Sequence, residues 1–291
     1  MYNNIIMRKK ISLYGVALLG MLVLFNSCKK EYESIESIDE AKIQAYIKAN
    51  NLTMTKDPAG FYYQVLTPGS GAPMLNRDSV FYNLAIKSLS GVSYYTTAAY
   101  SNEGTYLGYI SPASYRTALE NVARGSKVRV ILPSYLAYGK NGTGNVPSNE
   151  VIMAELSTFT QAKQWELDDK YITDFLTSKS LTATKLPSRV YRIVSQVGSG
   201  ETVDIGSTIT VKYAGRLLNG TVFDQSVGEA TLVSPISSLI KGWEAGLLGM
   251  QKGAKVRLFI PSDLGYGLSA QTSIPASSSL DFDIELVDVT N

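Results

Sequence analysis

Any chemistry in this chain is done without imidazole. Its 291 residues include no histidine and one cysteine, Cys28. That removes Ser-His-Asp and Cys-His nucleophilic pairs, histidine bases, CxxC redox and metal motifs and any intramolecular disulfide. Aromatic residues and acids are present, among them Tyr213, the pair Phe223-Asp224, Trp243, Tyr266 between Gly265 and Gly267, and Phe282. Tyr213 and Phe282 alternate as sheet core and Trp243 falls on a helical stripe, so packing alone accounts for those three. Packing does not account for an acid directly after an aromatic, or for a tyrosine flanked by glycines. Gly69-Ser70-Gly71 and Gly198-Ser199-Gly200 are not followed by Lys and a helical pattern, so they read as tight turns and not phosphate loops. Lys+Arg 27 against Asp+Glu 25 gives a formal charge of +2, without the basic excess that a nucleic-acid partner requires. No metal and no cofactor is expected.

The elements that position these residues occur twice. Tyr62 before Gly69-Ser70-Gly71 recurs as Tyr191 before Gly198-Ser199-Gly200, an offset of 191 − 62 = 129. Gly125-Ser126-Lys127-Val128-Arg129 recurs as Gly253-Ala254-Lys255-Val256-Arg257, at 253 − 125 = 128. A period of this size is a whole domain and not a solenoid unit. Each copy opens with a helical pattern, Ile43/Tyr46/Ile47 or Ile172/Phe175/Leu176. Alternating segments follow, such as Ile209-Val211-Tyr213, Val256-Leu258-Ile260 and Leu280-Phe282-Ile284-Leu286, which predict antiparallel strands covered on one face. Leu239, Trp243, Leu247 and Met250 predict one helix lying across the sheet, repeated in the first copy as Tyr115, Leu119 and Val122. The expected fold class is α+β: two tandem domains, each a curved antiparallel sheet wrapped on a short helix and preceded by an amino-terminal helix.

Five segments of the second copy resemble, in order and spacing, the successive motifs of FKBP-type peptidyl-prolyl isomerases. They are Val211-Lys212-Tyr213-Ala214-Gly215, Gly220-Thr221-Val222-Phe223-Asp224, Ile240-Lys241-Gly242-Trp243-Glu244-Ala245-Gly246-Leu247, Ile260-Pro261-Ser262-Asp263-Leu264-Gly265-Tyr266-Gly267 and Leu280-Asp281-Phe282-Asp283-Ile284-Glu285-Leu286. The resemblance covers about residues 189 to 289. It implies a pocket of Tyr213, Phe223, Asp224, Ile240, Trp243, Tyr266 and Phe282, with Leu239 and Ile274 as substrate-binding walls and Trp243 as the floor. It also implies that the Ile240 N–H and the Tyr266 hydroxyl hold substrate carbonyls, and that Asp224, hydrogen-bonded to Tyr213, sits beside the twisting carbonyl carbon. Between Asp224 and Ile240, where the family offers aromatics, this chain has Ala230 and Leu232.

The first copy departs further from the pattern. Tyr82 is matched to Tyr213 and Tyr138 to Tyr266, but Phe223-Asp224 becomes Tyr94-Tyr95, Trp243 becomes Tyr115 and Phe282 becomes Ala154. It reads as a folded, inactive isomerase domain.

The amino terminus has the layout of an export signal: Met7-Arg8-Lys9-Lys10, then an apolar stretch of about 15 residues from Ile11 to Phe25, shorter than the roughly 20 needed to cross a bilayer. Ser27-Cys28 at its end resembles a lipobox, so cleavage there and acylation of Cys28 are expected; the other reading is an uncleaved anchor with a bystander cysteine. The expected organisation is a lipoprotein signal peptide over 1–27, a tether over 28–35, a degenerate domain over 36–160 and an isomerase domain over 161–291. The leading expectation is a peptidyl-prolyl isomerase assisting folding in the cell envelope as an exported, membrane-anchored outer-membrane lipoprotein, its periplasmic or surface side left open. Its partners would be proline-containing or unfolded envelope polypeptides. The alternative is a non-catalytic chaperone or peptide-binding lipoprotein. A structural spacer comes third, since it gives no reason for Asp224 and Tyr266.

Overall fold

Alternation of apolar and polar residues in ten- and eleven-residue strands builds two antiparallel sheets of seven strands each, in a computed structural model that describes residues 33–291. The segment expected to be a signal peptide, Cys28 and most of the expected tether lie outside the described residues. Asp39–Asn291 forms one compact unit; of the other, Met1–Ile38, the described residues contribute the start of helix α1 (Ile35–Ala49). Among the described residues no helix is long and apolar enough to cross a membrane.

In the first copy the strands are β1 (Thr55–Lys56), β2 (Tyr62–Thr67), β3 (Ser79–Ser88), β4 (Ser93–Thr96), β5 (Glu103–Tyr106), β6 (Lys127–Leu132) and β7 (Ile152–Thr158), in the order β1-β2-β6-β7-β3-β4 with β5 also on β3. The second copy repeats this with β8 (Thr184–Lys185), β9 (Tyr191–Gln196), β10 (Thr208–Leu217), β11 (Val222–Gln225), β12 (Leu232–Pro235), β13 (Lys255–Ile260) and β14 (Leu280–Thr290), in the order β8-β9-β13-β14-β10-β11 with β12 on β10. The duplication seen in the sequence is thus a duplication of topology.

The amino-terminal helices form where the apolar spacing places them, as α1 (Ile35–Ala49) and α3 (Gln164–Ser178). The α1 stripe buries Ile43 against Tyr62, Ile131, Val151 and Met153. The α3 stripe packs Leu167, Ile172 and Phe175 against Tyr191 and Phe259. Full burial of one such side chain contributes about 1.5–3 kcal/mol. Opposite faces of the same strands carry the main cores, with Val128, Val130 and Leu156 in the first copy and Val256, Leu258 and Leu286 in the second.

The helices across the sheets are shorter than the stripes predict. They span Ala113–Leu119 (α2) and Lys241–Leu247 (α4), one to two turns each. Leu239 precedes α4 in extended backbone, and Met250 lies beyond Gly249, whose φ of +80° ends the helix. Val122 is likewise cut off from α2 by Asn121 at φ +67°. These residues still face the core, from turns and not from a helix. Close approach holds α4 to the sheet: a Cβ on Gly242 would stand 2.2 Å from Ile260, and one on Gly246 2.5 Å from Leu258.

Candidate functional site

The strand register gathers residues distant in sequence. Gly215 on β10 pairs with Phe282 on β14 and with Asp224 on β11, so the acid and Phe282 flank one glycine. On the outer face beside Phe282, Asp281 is buried and takes a two-pronged contact from Arg257, Nε at 2.8 Å and Nη2 at 2.7 Å, with Arg216 Nε at 3.3 Å. This ion cluster ties β10, β13 and β14 together at the level of the site.

On the inner face a cavity of about 240 Å³ is lined by Tyr213, Phe223, Asp224, Leu232, Leu239, Ile240, Trp243, Tyr266 and Phe282. Its aromatic walls meet edge to face. Trp243 and Phe282 have centroids 5.2 Å apart at 86°, Phe223 and Phe282 5.5 Å apart at 82°, and Tyr213 and Trp243 5.5 Å apart at 79°. Trp243 and Phe282 are buried, and the indole N–H of Trp243 has no hydrogen-bond partner among the described residues. Gly215 makes room for this stack. A Cβ there would lie 2.6 Å from Phe282 and 2.7 Å from Phe223.

Polar groups sit at the rim. Tyr213 donates its hydroxyl to Asp224 Oδ2 at 2.6 Å. Burial first, and then the Asp224 carboxylate, push the Tyr213 phenol up to about 12. Burial and the same carboxylate also raise Tyr266, which therefore stays a neutral donor at ordinary pH. Ile240 is the extended residue before α4, and among the described residues no acceptor lies on its N–H. The site offers two neutral donors and one carboxylate around an apolar floor, with no group poised to move a proton.

Of the nine residues expected from the sequence, eight line this cavity. Ile274 does not; it is buried in the core of the second copy. Leu232 takes a place in the wall, whereas Ala230 is exposed in a turn.

The corresponding cleft of the first copy holds about 450 Å³. The register corrects one correspondence there: Leu84 pairs with Leu156 as Tyr213 pairs with Ile284, so Leu84 and not Tyr82 stands where Tyr213 does. Tyr82 is buried in the core. Tyr95 occupies the place of Asp224 and donates instead to Glu103 on β5. Two differences carry no chemical signature in the sequence. Ile86 replaces Gly215, opposite Ala154 in place of Phe282. Pro112 precedes α2 where Ile240 precedes α4, so the rim N–H is lost altogether.

A sequence profile of FKBP-type peptidyl-prolyl cis-trans isomerases matches residues 199–287. Over 123 residues the chain is 39% identical to the FKBP-type peptidyl-prolyl cis-trans isomerase FkpA of Buchnera aphidicola, covering 42% of this chain and 48% of that one. Over 101 residues it is 40% identical to FkpA of Escherichia coli K12, covering 34% and 37%. A crystal structure of a peptidyl-prolyl cis-trans isomerase from Pseudomonas syringae is matched at 32% identity and a TM-score of 0.39, over 45% of this chain and 99% of that one. The chain spans about half or less of the length of these curated relatives. Residues 199–287, within the second copy, belong to the FKBP-type peptidyl-prolyl cis-trans isomerase family.

Proposed function

We propose that the cleft of the second copy catalyses cis-trans isomerisation of X-Pro bonds in unfolded polypeptides. The observation that carries this reading is the Tyr213-Asp224 pair at the rim of an aromatic cavity whose other polar groups are neutral donors. Amide resonance holds an X-Pro bond behind a barrier of about 18–20 kcal/mol, and rotation passes through a twisted state in which that resonance and its charge separation are lost. No proton is transferred, so a site without histidine suffices. Phe223, Trp243 and Phe282 would take the prolyl ring and exclude water, which disfavours the planar, polar amide relative to the twisted one. The Ile240 N–H and the Tyr266 hydroxyl would hold flanking carbonyls, and Asp224 would stand beside the twisting carbon. Lowering the barrier by about 5 kcal/mol corresponds to a several-thousand-fold acceleration.

Acylation at Cys28 after export would place this activity on a membrane of the cell envelope, where the clients are unfolded envelope polypeptides. The Arg8-Lys9-Lys10 flank, the short apolar stretch and the cysteine at its end support that location. Pro112, Tyr95 and Ala154 support a first copy that does not turn over.

The test is a protease-coupled isomerisation assay on the full chain over peptides that differ in the residue before proline, beside Asp224→Ala. Acceleration that is lost in the variant bears the reading out. A folded chain without acceleration leaves the non-catalytic peptide-binding function in its place.

A further inference from the structure

Helix α3 carries a charged group that its amphipathic pattern does not explain. Asp168 is fully buried, and its Oδ2 accepts both the N–H of Ser262 at 2.9 Å and its hydroxyl at 2.7 Å. Oδ1 accepts from Gln164 Nε2 at 2.8 Å. A buried carboxylate is costly, and three hydrogen bonds of this kind fix the geometry of whatever donates them. Here the donor is the residue that opens the Tyr266 turn. The Ser262 carbonyl accepts the N–H of Gly265 at 3.0 Å and that of Gly267 at 2.8 Å, the two residues on either side of Tyr266. Asp168 therefore fixes Ser262, and Ser262 holds the backbone N–H groups of both neighbours of Tyr266, Gly265 before it and Gly267 after it.

The same helix reaches into the first copy. Gln164 exchanges amide hydrogen bonds with Asn102 at 3.3 and 3.4 Å, and the Tyr171 hydroxyl donates to the Ser101 carbonyl at 2.8 Å. Tyr100 packs edge-on against Phe175 at 5.7 Å. The first copy has a comparable device, with Asp39 accepting from Ser134 N–H at 2.8 Å and Oγ at 2.6 Å. There Oδ1 has no hydrogen-bond partner among the described residues, and the Ile240-type N–H that a working cleft needs is absent.

We propose that Asp168 is a positioning residue for Tyr266, and that through Gln164 and Asn102 the degenerate first copy forms part of the frame that holds the cleft of the second. The inference rests on the isomerase reading of that cleft. It gives the first copy a role that needs no activity of its own.

The experiment uses the full chain and two readouts: kcat and KM for a prolyl peptide, and hydrogen exchange at the Gly265 and Gly267 amides, with β14 amides reporting the global fold. Asp168→Ala is expected to lower kcat about tenfold with KM little changed and to speed exchange at Gly267. Asp168→Asn, whose amide oxygen can still accept from Ser262, is expected to remain within about twofold of the parent. In a Tyr266→Phe background the effect of Asp168→Ala on kcat should shrink to less than about twofold, because residues acting as a unit are not additive. Asn102→Ala should speed Gly267 exchange and lower kcat by about twofold, in the same sense as Asp168→Ala. Asp39→Ala, which breaks the matching contact in the first copy, should leave both readouts unchanged. Additive losses of Asp168→Ala and Tyr266→Phe, unchanged Gly267 exchange in Asp168→Ala, or an equal loss in Asp39→Ala would overturn the positioning role; an unaffected Asn102→Ala would overturn the part given to the first copy. If the parent chain shows no turnover while Gly267 exchange responds as stated, the isomerase reading fails and the positioning of Tyr266 stands.

Discussion

Tyr213 and Asp224, on neighbouring strands, are joined by a 2.6 Å hydrogen bond in which the phenol donates to Oδ2 at the mouth of the aromatic cleft. The phenol orients the carboxylate and holds it in one place at the rim. Asp224→Ala removes a charged group worth about 1.5–3 kcal/mol in such contacts, so kcat/KM should fall by roughly 10- to 150-fold. Tyr213→Phe leaves the acid in place without its tether and should cost less, roughly fivefold. The two losses should be less than additive in the double variant, as measured by isomerisation of a proline peptide. Full additivity would mean that the tyrosine acts apart from the acid.

The pH dependence follows from the two tyrosines. Neither the pocket nor the rest of the chain has a histidine, and both Tyr213 and Tyr266 are raised above their ordinary value near 10. Turnover should therefore be flat from about pH 6 to 9, unlike the bell of a general acid-base enzyme. A raised phenol pKa means that the folded state binds this proton more tightly than the unfolded chain. Its contribution to stability is then fully present below about 10 and is lost as pH climbs through about 12. Denaturant midpoints measured between pH 8 and 12 should fall at the alkaline end in the parent, and fall less in Tyr213→Phe.

Trp243 combines a buried ring with an indole N–H that has no partner among the described residues. Trp243→Ala should cost about 3–5 kcal/mol of stability from lost contacts and the cavity left behind. Trp243→Phe removes the unsatisfied donor along with part of the ring, and these effects oppose one another. It should cost less than about 2 kcal/mol by denaturant unfolding. A loss as large as that of the alanine variant would show that the N–H is satisfied in solution, for instance by water.

Much of this architecture was legible in the sequence because it is written in period and repetition. Ile172, Phe175 and Leu176 announce the helix that covers Phe259, and the offset of 128 to 129 residues announces the second sheet. What escaped did so for physical reasons. Matching Tyr82 to Tyr213 is an error of two residues, and a two-residue shift along a strand keeps every side chain on its face, so alternation does not reveal it; the repeat offset (213 − 84 = 129, against 213 − 82 = 131) and the pairing of Leu84 with Leu156 do. Gly215 and Pro112 act by what they lack, a side chain in one case and an N–H in the other. Asp168 breaks the apolar stripe of its helix, and its partner Ser262 is 94 residues away. The recurrence of the pair as Asp39 and Ser134 was the one available signal.

The two copies differ most instructively where Gly215 faces Phe282 and Ile86 faces Ala154. Each pair fills one space between strands, the first with an aromatic ring over a bare backbone and the second with a branched side chain over a methyl group. Gly215→Ile alone should be overpacked, since even its Cβ falls 2.6 Å from the Phe282 ring, at a cost of about 1–3 kcal/mol and with loss of turnover. Adding Phe282→Ala relieves the clash by recreating the pair of the first copy, so stability should recover by at least about 1 kcal/mol relative to the sum of the single variants. Turnover should not recover, because the ring that packs against Trp243 at 5.2 Å is gone. Unfolding and isomerisation measured on the four members of this cycle separate packing from catalysis. Recovery of both would mean that Phe282 is core alone, and that the wall of the cleft against the prolyl ring is built by Phe223 and Trp243 without it.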